Sequence, residues 1–429
     1  MKKAVVIGSG AGGASAAKTL QGEFAVTVVE AGDAFRPLGI KLGTAERLKR
    51  LGLLVDERLI GTIFPSMRVA RMKDRMVLVW GRATGGTTTI SAGNALRMDR
   101  DLAALGIDLS REFEELEAEM PISTDHTRRW RSSTRALYDA CSAMGLAPRP
   151  TPKMADPDKC SNCGRCILGC PSGAKWDARR FLDDAAGRGA QLVTCARAER
   201  ILIGSGRASG VVVRTRGRRR VLPADVVVLA AGGLGTPGIL ENSGIACKPT
   251  LFVDPVLCVA AEMPGAGTDR EIPMPFVVQG DGFILSPYFD FLSYYFNRAW
   301  KPKPGNIVSL MIKLADEERG SVGANGVHKV LSPSDKRRLD EAACLCRDVL
   351  ARVGIERKRT FLGTVNAGHP GGTLPLTARE AETLHNPSLP DNVYVADATL
   401  LPRSLGNPPI LTILALARRI ARVAAARCS

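Results

Sequence analysis

The chain has 429 residues, of which 45% are apolar, and its formal net charge is +16. This length exceeds what one hydrophobic core usually serves, so we expect a larger and a smaller domain. The apolar fraction is ordinary for a globular protein with a full core. No apolar run reaches the roughly 18 residues of a membrane span, and no signal-peptide pattern follows Met1. The sequence therefore excludes membrane-spanning and secreted classes and predicts a soluble, cytoplasmic protein.

The excess positive charge is concentrated in three clusters, Arg128–Arg131, Arg214–Arg220 and Lys336–Arg338. The second cluster lies between two apolar runs, Val211–Val213 and Val226–Leu229, and would form the tip of a hairpin if those runs paired. Three interpretations remain open: a solvated surface, a docking face for an acidic partner or anionic lipid, and a nucleic-acid site. Nothing in the chain resembles a nucleic-acid-binding fold, so we expect no nucleic-acid partner.

A glycine-rich turn follows the first apolar run. Lys3–Ile7 is short and β-branched, which is typical of a buried parallel strand. Ala14–Leu20 is helix-prone, and Ala25–Val29 predicts a second strand that ends at Glu30. Strand, turn, helix, strand and acid stand in the order of a βαβ nucleotide site.

Each feature of this turn has its own predicted role. Gly8 permits the tight turn, Gly10 lets the backbone approach a pyrophosphate, and Gly13 lets helix and strand pack closely. The first N–H groups of the helix are free to bind phosphates. Glu30 can accept hydrogen bonds from a ribose diol, which disfavours NADP and leaves FAD and NAD open. The predicted dinucleotide site comprises Gly8, Gly10, Ala11, Gly12, Gly13, Glu30 and Ala31.

A second glycine-rich segment, residues 81–89, has the sequence GRATGGTTT. It resembles the first signature of the glucose-methanol-choline (GMC) family of FAD-dependent oxidoreductases, which wraps the pyrophosphate and the flavin edge. Where many members carry Asn after the hydroxyl run, this chain has Ser91, with Asn94 three residues on; either could face the flavin. The resemblance selects FAD and implies cofactor contacts from Gly81, Arg82, Gly85, Gly86, Thr87 and Asn94.

Two later segments extend the resemblance over nearly the whole chain. Ala224–Gly244 is similar to the second family signature, which passes beneath the cofactor. Val395–Ala398 and Leu405–Pro408, followed by a helical run at Leu411–Val423, resemble the C-terminal part of the family. The resemblance implies that Asp397 binds the ribityl or phosphate region and that the helix points its N-terminus at the isoalloxazine carbonyl. Asp397 and Pro408 are the implied cofactor contacts of this part.

One of the four histidines, His369, stands in the sequence GHPGGT, which matches the catalytic His-x-x-Gly-Thr of the family. An alcohol releases hydride from carbon only as its hydroxyl proton is removed, and imidazole titrates near neutral pH. The resemblance makes His369 the catalytic base. Asn407 stands where members carry His or Asn; its amide cannot take the proton, so it is expected to hold the same oxygen over flavin N5.

Four of the eleven cysteines, Cys160, Cys163, Cys166 and Cys170, crowd into a segment that we call the cysteine loop (residues 157–176). The odd total argues against a secreted disulfide framework. The spacing is that of bacterial ferredoxin loops, in which thiolates bind a 4Fe-4S cluster. A zinc site and simple buried thiols remain alternatives. With a cluster, electrons could pass singly from the flavin to an external carrier.

Residues 246–364 lack a nucleotide motif and are expected to form the substrate domain. Their notable feature is the aromatic run Phe283–Trp300. It predicts either the core face of an antiparallel sheet or the lining of a pocket for an apolar alcohol. Downstream, Pro333–Val353 is helical by apolar spacing, with Ser332 or Ser334 as its cap.

The sequence therefore predicts an α/β fold. A Rossmann-like FAD-binding domain, residues 1–245 and 365–429, carries a smaller α+β substrate domain built on an antiparallel sheet, residues 246–364. The predicted function is a dehydrogenase that exchanges hydride between an alcohol or carbonyl substrate and FAD, with a 4Fe-4S cluster as relay. Its partner would be an acidic redox protein or a membrane surface. The alternatives are an electron-transfer protein without substrate chemistry and an oxygen-using oxidase with inert cysteines.

Overall fold

The computed structural model describes residues 1–38, 42–53, 56–323 and 326–428. Its first layer is a parallel sheet, here called the nucleotide sheet. The predicted strands Lys3–Ile7, Ala25–Val29 and Val226–Leu229 are all in it, because their apolar side chains are buried on both faces. In spatial order, its strands are Val393–Val395, Val226–Leu229, Lys3–Ile7, Ala25–Val29 and Gln191–Val193.

Two helices from opposite ends of the chain cover this sheet. Ala11–Leu20 packs against Ile410–Cys428, and the hydroxyl of Ser15 donates to the carbonyl oxygen of Leu414 at 2.8 Å. The predicted helix Leu411–Val423 is thus confirmed but longer at both ends. Small side chains on the first helix allow this close contact, so the two termini of the chain share one core.

The basic cluster Arg214–Arg220 does lie at a hairpin tip, but the predicted partner strand was wrong. Arg207–Thr215 pairs with Arg218–Pro223, whereas Val226–Leu229 enters the nucleotide sheet. The reason is burial: 218–223 is an exposed edge strand, while 226–229 is apolar and fully buried. The antiparallel sheet is completed by Ala196–Gly204.

A large mixed sheet forms the second layer. Its pairs are antiparallel except for Asn366–Ala367, which runs parallel to Val77–Gly81. This confirms an α/β protein with a second sheet of largely antiparallel pairs. Its strands in spatial order are Met67–Arg71, Val77–Gly81, Asn366–Ala367, Val256–Glu262, Ile307–Leu314, Phe283–Pro287, Phe276–Gln279 and Arg149–Pro150, with Phe361–Leu362 paired to Val256–Glu262.

The helix Pro333–Arg352 packs on this sheet and confirms the predicted element and its cap. Ser332 and Asp335 form a reciprocal capping box, which satisfies N–H groups of the first turn. The remaining helices are Leu42–Arg50, Ile60–Ile63, Arg100–Ala104, Ser110–Glu119, Ser132–Ala143, Arg179–Gly187, Gly232–Asn242 and Phe291–Phe296; short strand pairs are Ile122–Ser123 with Lys153–Met154 and Gly320–Gly323 with Gly326–Lys329.

The aromatic run divides between both predicted roles. Phe283–Pro287 is a strand, but the next aromatics form the helix Phe291–Phe296, whose first turn is capped by the Asp290 carboxylate. Phe289 and Trp300 are buried in the core. The antiparallel sheet therefore accounts for only the first part of this segment.

Within the described ranges, no helix is both long and apolar enough to cross a bilayer.

Candidate active site

A cavity of about 1330 Å³, here called the central cavity, opens at the carboxyl ends of the nucleotide-sheet strands and extends to the large mixed sheet. Loops at this edge are the usual ligand site of parallel α/β sheets. Gly13, Gly85 and Asn407 are not among its lining residues. The sequence-predicted residues that line it are Gly8, Gly10, Ala11, Gly12, Glu30, Ala31, Gly81, Arg82, Gly86, Thr87, Asn94, His369, Asp397 and Pro408.

The glycine turn is shaped by close backbone contacts. Gly8 has a φ of +103°, a conformation that side chains disfavour. A Cβ at Gly12 would lie 1.7 Å from the carbonyl oxygen of Ala396, and one at Gly13 would lie 1.9 Å from that of Gly8. Gly13 therefore serves helix-strand packing, whereas Gly12 lets the first helix approach the end of the Val393–Val395 strand.

The two glycine-rich segments touch each other across the cavity wall. A Cβ at Gly86 would lie 2.9 Å from the Cα of Gly10. Ser9, which sequence reasoning passed over, joins them: its hydroxyl donates to Glu30 Oε2 at 2.6 Å and accepts from the N–H of Gly85 at 3.1 Å. Gly85 thus anchors the second glycine-rich segment to Ser9, and Gly86 lines the cavity.

Glu30 is buried and already accepts from protein donors. Oε2 also accepts from the N–H of Ser9, and Oε1 accepts from that of Gly32 at 2.7 Å. A carboxylate has about four acceptor positions, so Glu30 retains capacity for a ligand hydroxyl.

The carboxylate of Asp397 ties the C-terminal segment to the second signature. Oδ2 accepts from the N–H of Gly232 at 2.8 Å and from the hydroxyl of Thr236, while Oδ1 accepts from Thr399. Burial raises the pKa of Asp397 despite these bonds. Its first role is therefore to hold two chain segments at the cavity wall.

This arrangement fits a flavin dinucleotide. The first helix has no side-chain cap at Gly10, so its first N–H groups are left for an anion at the cavity edge. Glycines at Gly10 and Gly86 keep that wall free of side chains, and Glu30 lies one strand away, where a ribose would bind. These residues would hold the pyrophosphate and the adenosine of FAD.

His369 also lines the cavity, with a side chain that is 24% exposed. Its Nδ1 is buried and has no hydrogen bond of good geometry in the described part of the chain. The nearest carboxylate oxygen, Asp254 Oδ2, is 3.5 Å from Nδ1. Burial and the charge of Lys313 lower the pKa of His369, and Asp254 opposes them. The imidazole is therefore neutral at neutral pH and can accept a proton.

Asn407 is buried, and its amide donates to Gln279 Oε1 and to the carbonyl oxygen of Leu405, both at 3.3 Å. The structure thus brings Pro408, but not the Asn407 side chain, to the cavity. Ser91 and Asn94 both line the cavity, so the structure does not choose between them.

The cysteine loop packs beside this site. Ile167 and Leu168 line the cavity, and the carbonyl oxygen of Leu168 accepts from the N–H of Leu38 at 3.0 Å. Among the described residues, no group of three or more His, Cys, Asp or Glu side chains is arranged to hold a metal ion. The geometry therefore does not support the predicted cluster. All four loop cysteines, Cys160, Cys163, Cys166 and Cys170, are free and partly buried.

Two buried lysines connect the cysteine loop to the cavity, and sequence reasoning missed both. Lys175 Nζ donates to the carbonyl oxygens of Thr88, Thr89 and Ser91 at 2.8–3.0 Å. Lys153 Nζ donates to the side chain of Asn94. Burial lowers the pKa of Lys153 to about 7 and that of Lys175 to about 8.

Aromatic side chains line another part of the cavity. The lining residues from the aromatic run include Tyr288, Phe291, Tyr295 and Phe296. Asp290, between them, also lines the cavity, and burial raises its pKa to about 6. The cavity thus has a glycine-rich polar end and an aromatic end.

Residues 3–256 match the family model described as GMC oxidoreductase. The chain belongs to this family. It is 34% identical over 263 residues to an uncharacterized GMC-type oxidoreductase of Mycobacterium tuberculosis, a match that covers 58% of this chain and 40% of that one. The match therefore spans about two fifths of that relative's length.

Two further similarities cover nearly the whole chain. A long-chain-alcohol oxidase of Arabidopsis thaliana is 24% identical over 512 residues, covering 96% of this chain and 65% of the plant protein. The crystal structure of pyridoxine 4-oxidase from Mesorbium loti superposes with a TM-score of 0.73 at 17% identity, covering 98% of this chain and 99% of that one. The latter similarity shows the fold.

Proposed function

We propose that this protein is an FAD-dependent oxidoreductase that acts on the CH–OH group of an alcohol, or on its carbonyl product in reverse. The carrying observation is that His369 and the two glycine-rich loops open on one cavity, although they are far apart in sequence. Bound FAD would supply the hydride acceptor. Residues 1–245 and 365–429 would hold the cofactor, and residues 246–364 would supply most of the substrate wall.

Within this proposal, each residue has one task. Nε2 of His369 accepts the proton of the substrate hydroxyl as hydride leaves the carbon that bears this hydroxyl. Asn407 supports the wall through its bond to Leu405, and Pro408 contacts the cofactor. Tyr288, Phe291 and neighbouring rings exclude water and bind an apolar substrate. The name of the plant relative, a long-chain-alcohol oxidase, agrees with an apolar alcohol.

The proposal predicts anaerobic bleaching of bound flavin by primary alcohols. The rate divided by substrate concentration should rise with chain length, because each buried CH₂ contributes about 0.8 kcal/mol of binding. The measurement is stopped-flow absorbance with ethanol, hexanol, decanol and benzyl alcohol. Matching aldehydes should reoxidise the dithionite-reduced flavin. A flavin that none of these compounds reduces or reoxidises would leave only the electron-transfer alternative. Rapid peroxide formation on admitting air would favour the oxidase alternative.

We further propose that the cysteine loop holds a 4Fe-4S cluster that supplies one-electron transfer to an external acidic carrier. The four loop thiols are not arranged around one metal position, but two features support a cluster. They are the ferredoxin-like spacing and the buried amino groups of Lys153 and Lys175. Neither lysine has an ion pair with a carboxylate in the described ranges. A thiolate-bound cluster carries negative charge, which these ammonium groups would balance. Lys159 in the loop and Arg128, next to Arg129, which donates to the carbonyl oxygen of Cys160, are exposed and suit an acidic partner, although each pairs with an aspartate of this chain.

Protein purified without oxygen should then contain iron and acid-labile sulfide in equal amounts, with a broad visible absorbance that dithionite bleaches. Cys163→Ser should lose most of the iron, whereas Cys195→Ser, at an exposed cysteine outside the loop, should keep it. Zinc without sulfide would support the zinc alternative. Absence of both metals would leave the cysteines as plain thiols.

A further inference from the structure

Two ion pairs are buried in the wall that carries His369. Asp254 pairs with Lys313, and both side chains are 1% exposed. Asp316 pairs with Lys329 at 2.6 Å, and both are fully buried. Removing charges from water is costly, and stability alone rarely explains such pairs, because apolar residues often serve as well. Their position beside a titratable ring therefore calls for a functional explanation.

A single oxygen links the first pair to the ring. Oδ2 of Asp254 accepts from Lys313 Nζ and also lies 3.5 Å from His369 Nδ1. The other oxygen, Oδ1, is held by the hydroxyl of Ser404 and the N–H of Gly406. The carboxylate is thus fixed on every side. Asp254 therefore favours a proton on Nδ1, the ring nitrogen that faces it. With the proton on Nδ1, the lone pair of Nε2 remains free to accept a proton in the cavity.

Asp254 itself has an unusual backbone conformation, with a φ of +52°. Asp and Asn tolerate this left-handed region better than other side chains. Its N–H donates to Asp316 Oδ1 at 2.8 Å, so the second ion pair secures the backbone of the first. The wall is therefore built to keep one carboxylate in one place.

Burial of the ring and the charges around it together set its protonation. Asp254 alone would stabilise an imidazolium, but Lys313 already neutralises that carboxylate, and the Asp316–Lys329 pair is neutral as a unit. Burial and Lys313 both lower the pKa of His369. Burial alone would raise the pKa of Asp254, but Lys313 and His369 outweigh it and lower that pKa to about 2. Asp254 is therefore ionised throughout the neutral range.

We propose that Lys313 is a positioning residue that keeps His369 unprotonated, by pairing with the carboxylate that would otherwise stabilise an imidazolium. This inference rests on the proposed role of His369 as base. Lys313 lines the cavity but acts through Asp254. The consequence is an enzyme whose base remains ready below the pH at which a free imidazole would be protonated.

The test compares Lys313→Met with the double variant D254N/K313M, in FAD-loaded protein. Lys313→Met leaves a buried carboxylate facing the ring, so His369 should titrate at least about one pH unit higher than in the wild type. The double variant removes both charges, and Asn keeps the backbone conformation, so the titration should return close to the wild-type value. NMR of the ring protons measures this directly; with four histidines in the chain, H369Q assigns the signal.

The same variants have a kinetic signature. At about pH 6, kcat/KM of Lys313→Met should fall roughly tenfold and recover as the pH rises, because an acid limb follows the pKa of the base. The double variant should lack this shift. An unchanged titration in Lys313→Met, or an equal rise in the double variant, would overturn the proposal.

The wild-type protein provides an independent check if Lys313→Met fails to fold. Its His369 must be neutral, with the proton on Nδ1, at about pH 6.5, the ordinary imidazole pKa. An imidazolium at that pH overturns the inference. The NMR readout does not depend on turnover, so it is separable from the proposed function: normal flavin reduction by H369Q would remove the base role while leaving the titration result intact.

Discussion

Replacing His369 by Gln should reduce the rate of alcohol-driven flavin bleaching by about 100- to 10,000-fold, the usual contribution of a positioned general base. Gln matches the size of the ring and can still donate a hydrogen bond, but it cannot take the hydroxyl proton. The variant should retain bound FAD, because the pyrophosphate and adenosine would bind at the glycine-rich end of the cavity. The loss should therefore appear in the rate and not in the flavin content.

His328→Gln is the matched control, since the His328 side chain is exposed and does not line the cavity, although Gly326 and Val327 of the same strand do. It should bleach at the wild-type rate. Photochemical or dithionite reduction should proceed normally in both variants, because it needs no base. If His369→Gln bleached at the wild-type rate, the base would have to be another group. Asp290 would then be the candidate, because it lines the same cavity and has a raised pKa.

Gly12→Ala should cost about 3 kcal/mol or more of folding free energy, at or above the upper end of the range for overpacking. The added methyl would lie 1.7 Å from the carbonyl oxygen of Ala396. That oxygen belongs to backbone at the end of the Val393–Val395 strand, where the N–H of Ala396 donates to the carbonyl oxygen of Leu229 at 2.7 Å, so it cannot move away cheaply. The first helix would be displaced from the C-terminal segment, and FAD retention should fall with stability.

The control is Gly187→Ala at the end of the helix Arg179–Gly187, where an added Cβ meets nothing within 4 Å. There the change should be neutral or stabilise by up to about 1 kcal/mol, the ordinary difference in helix propensity. Thermal unfolding and flavin content after gel filtration measure both effects. Equal behaviour of the two variants would show that the predicted contact at Gly12 does not constrain the helix.

The parts of the site that a sequence can predict are those encoded in short segments. The turn after Lys3–Ile7 is readable because strand, glycines, helix and acid are consecutive and each has a local physical reason. His369 is readable only through its neighbours in GHPGGT, since a single histidine carries little information.

The parts that the sequence did not predict depend on long-range packing. Asp254 and Lys313 meet because the strands Val256–Glu262 and Ile307–Leu314 pair in one register. A usable signal existed, since Lys313 interrupts the apolar run Leu310–Leu314, but no local feature identifies its partner. Likewise, Arg218–Pro223 resembles a solvated loop because its side chains face solvent, so the hairpin was given the wrong second strand.

The strand order of the nucleotide sheet has a consequence for biosynthesis. Val393–Val395 flanks Val226–Leu229, which in turn flanks Lys3–Ile7, so the first strand emerges from the ribosome long before its layer can be completed. Contacts of such large sequence separation form late and slowly. A nascent chain would hold its finished glycine turn without the Asp397 segment or the terminal helix. Capture of the vitamin-derived cofactor should therefore await the synthesis of residues 393–428, and chains stalled before residue 393 should lack flavin.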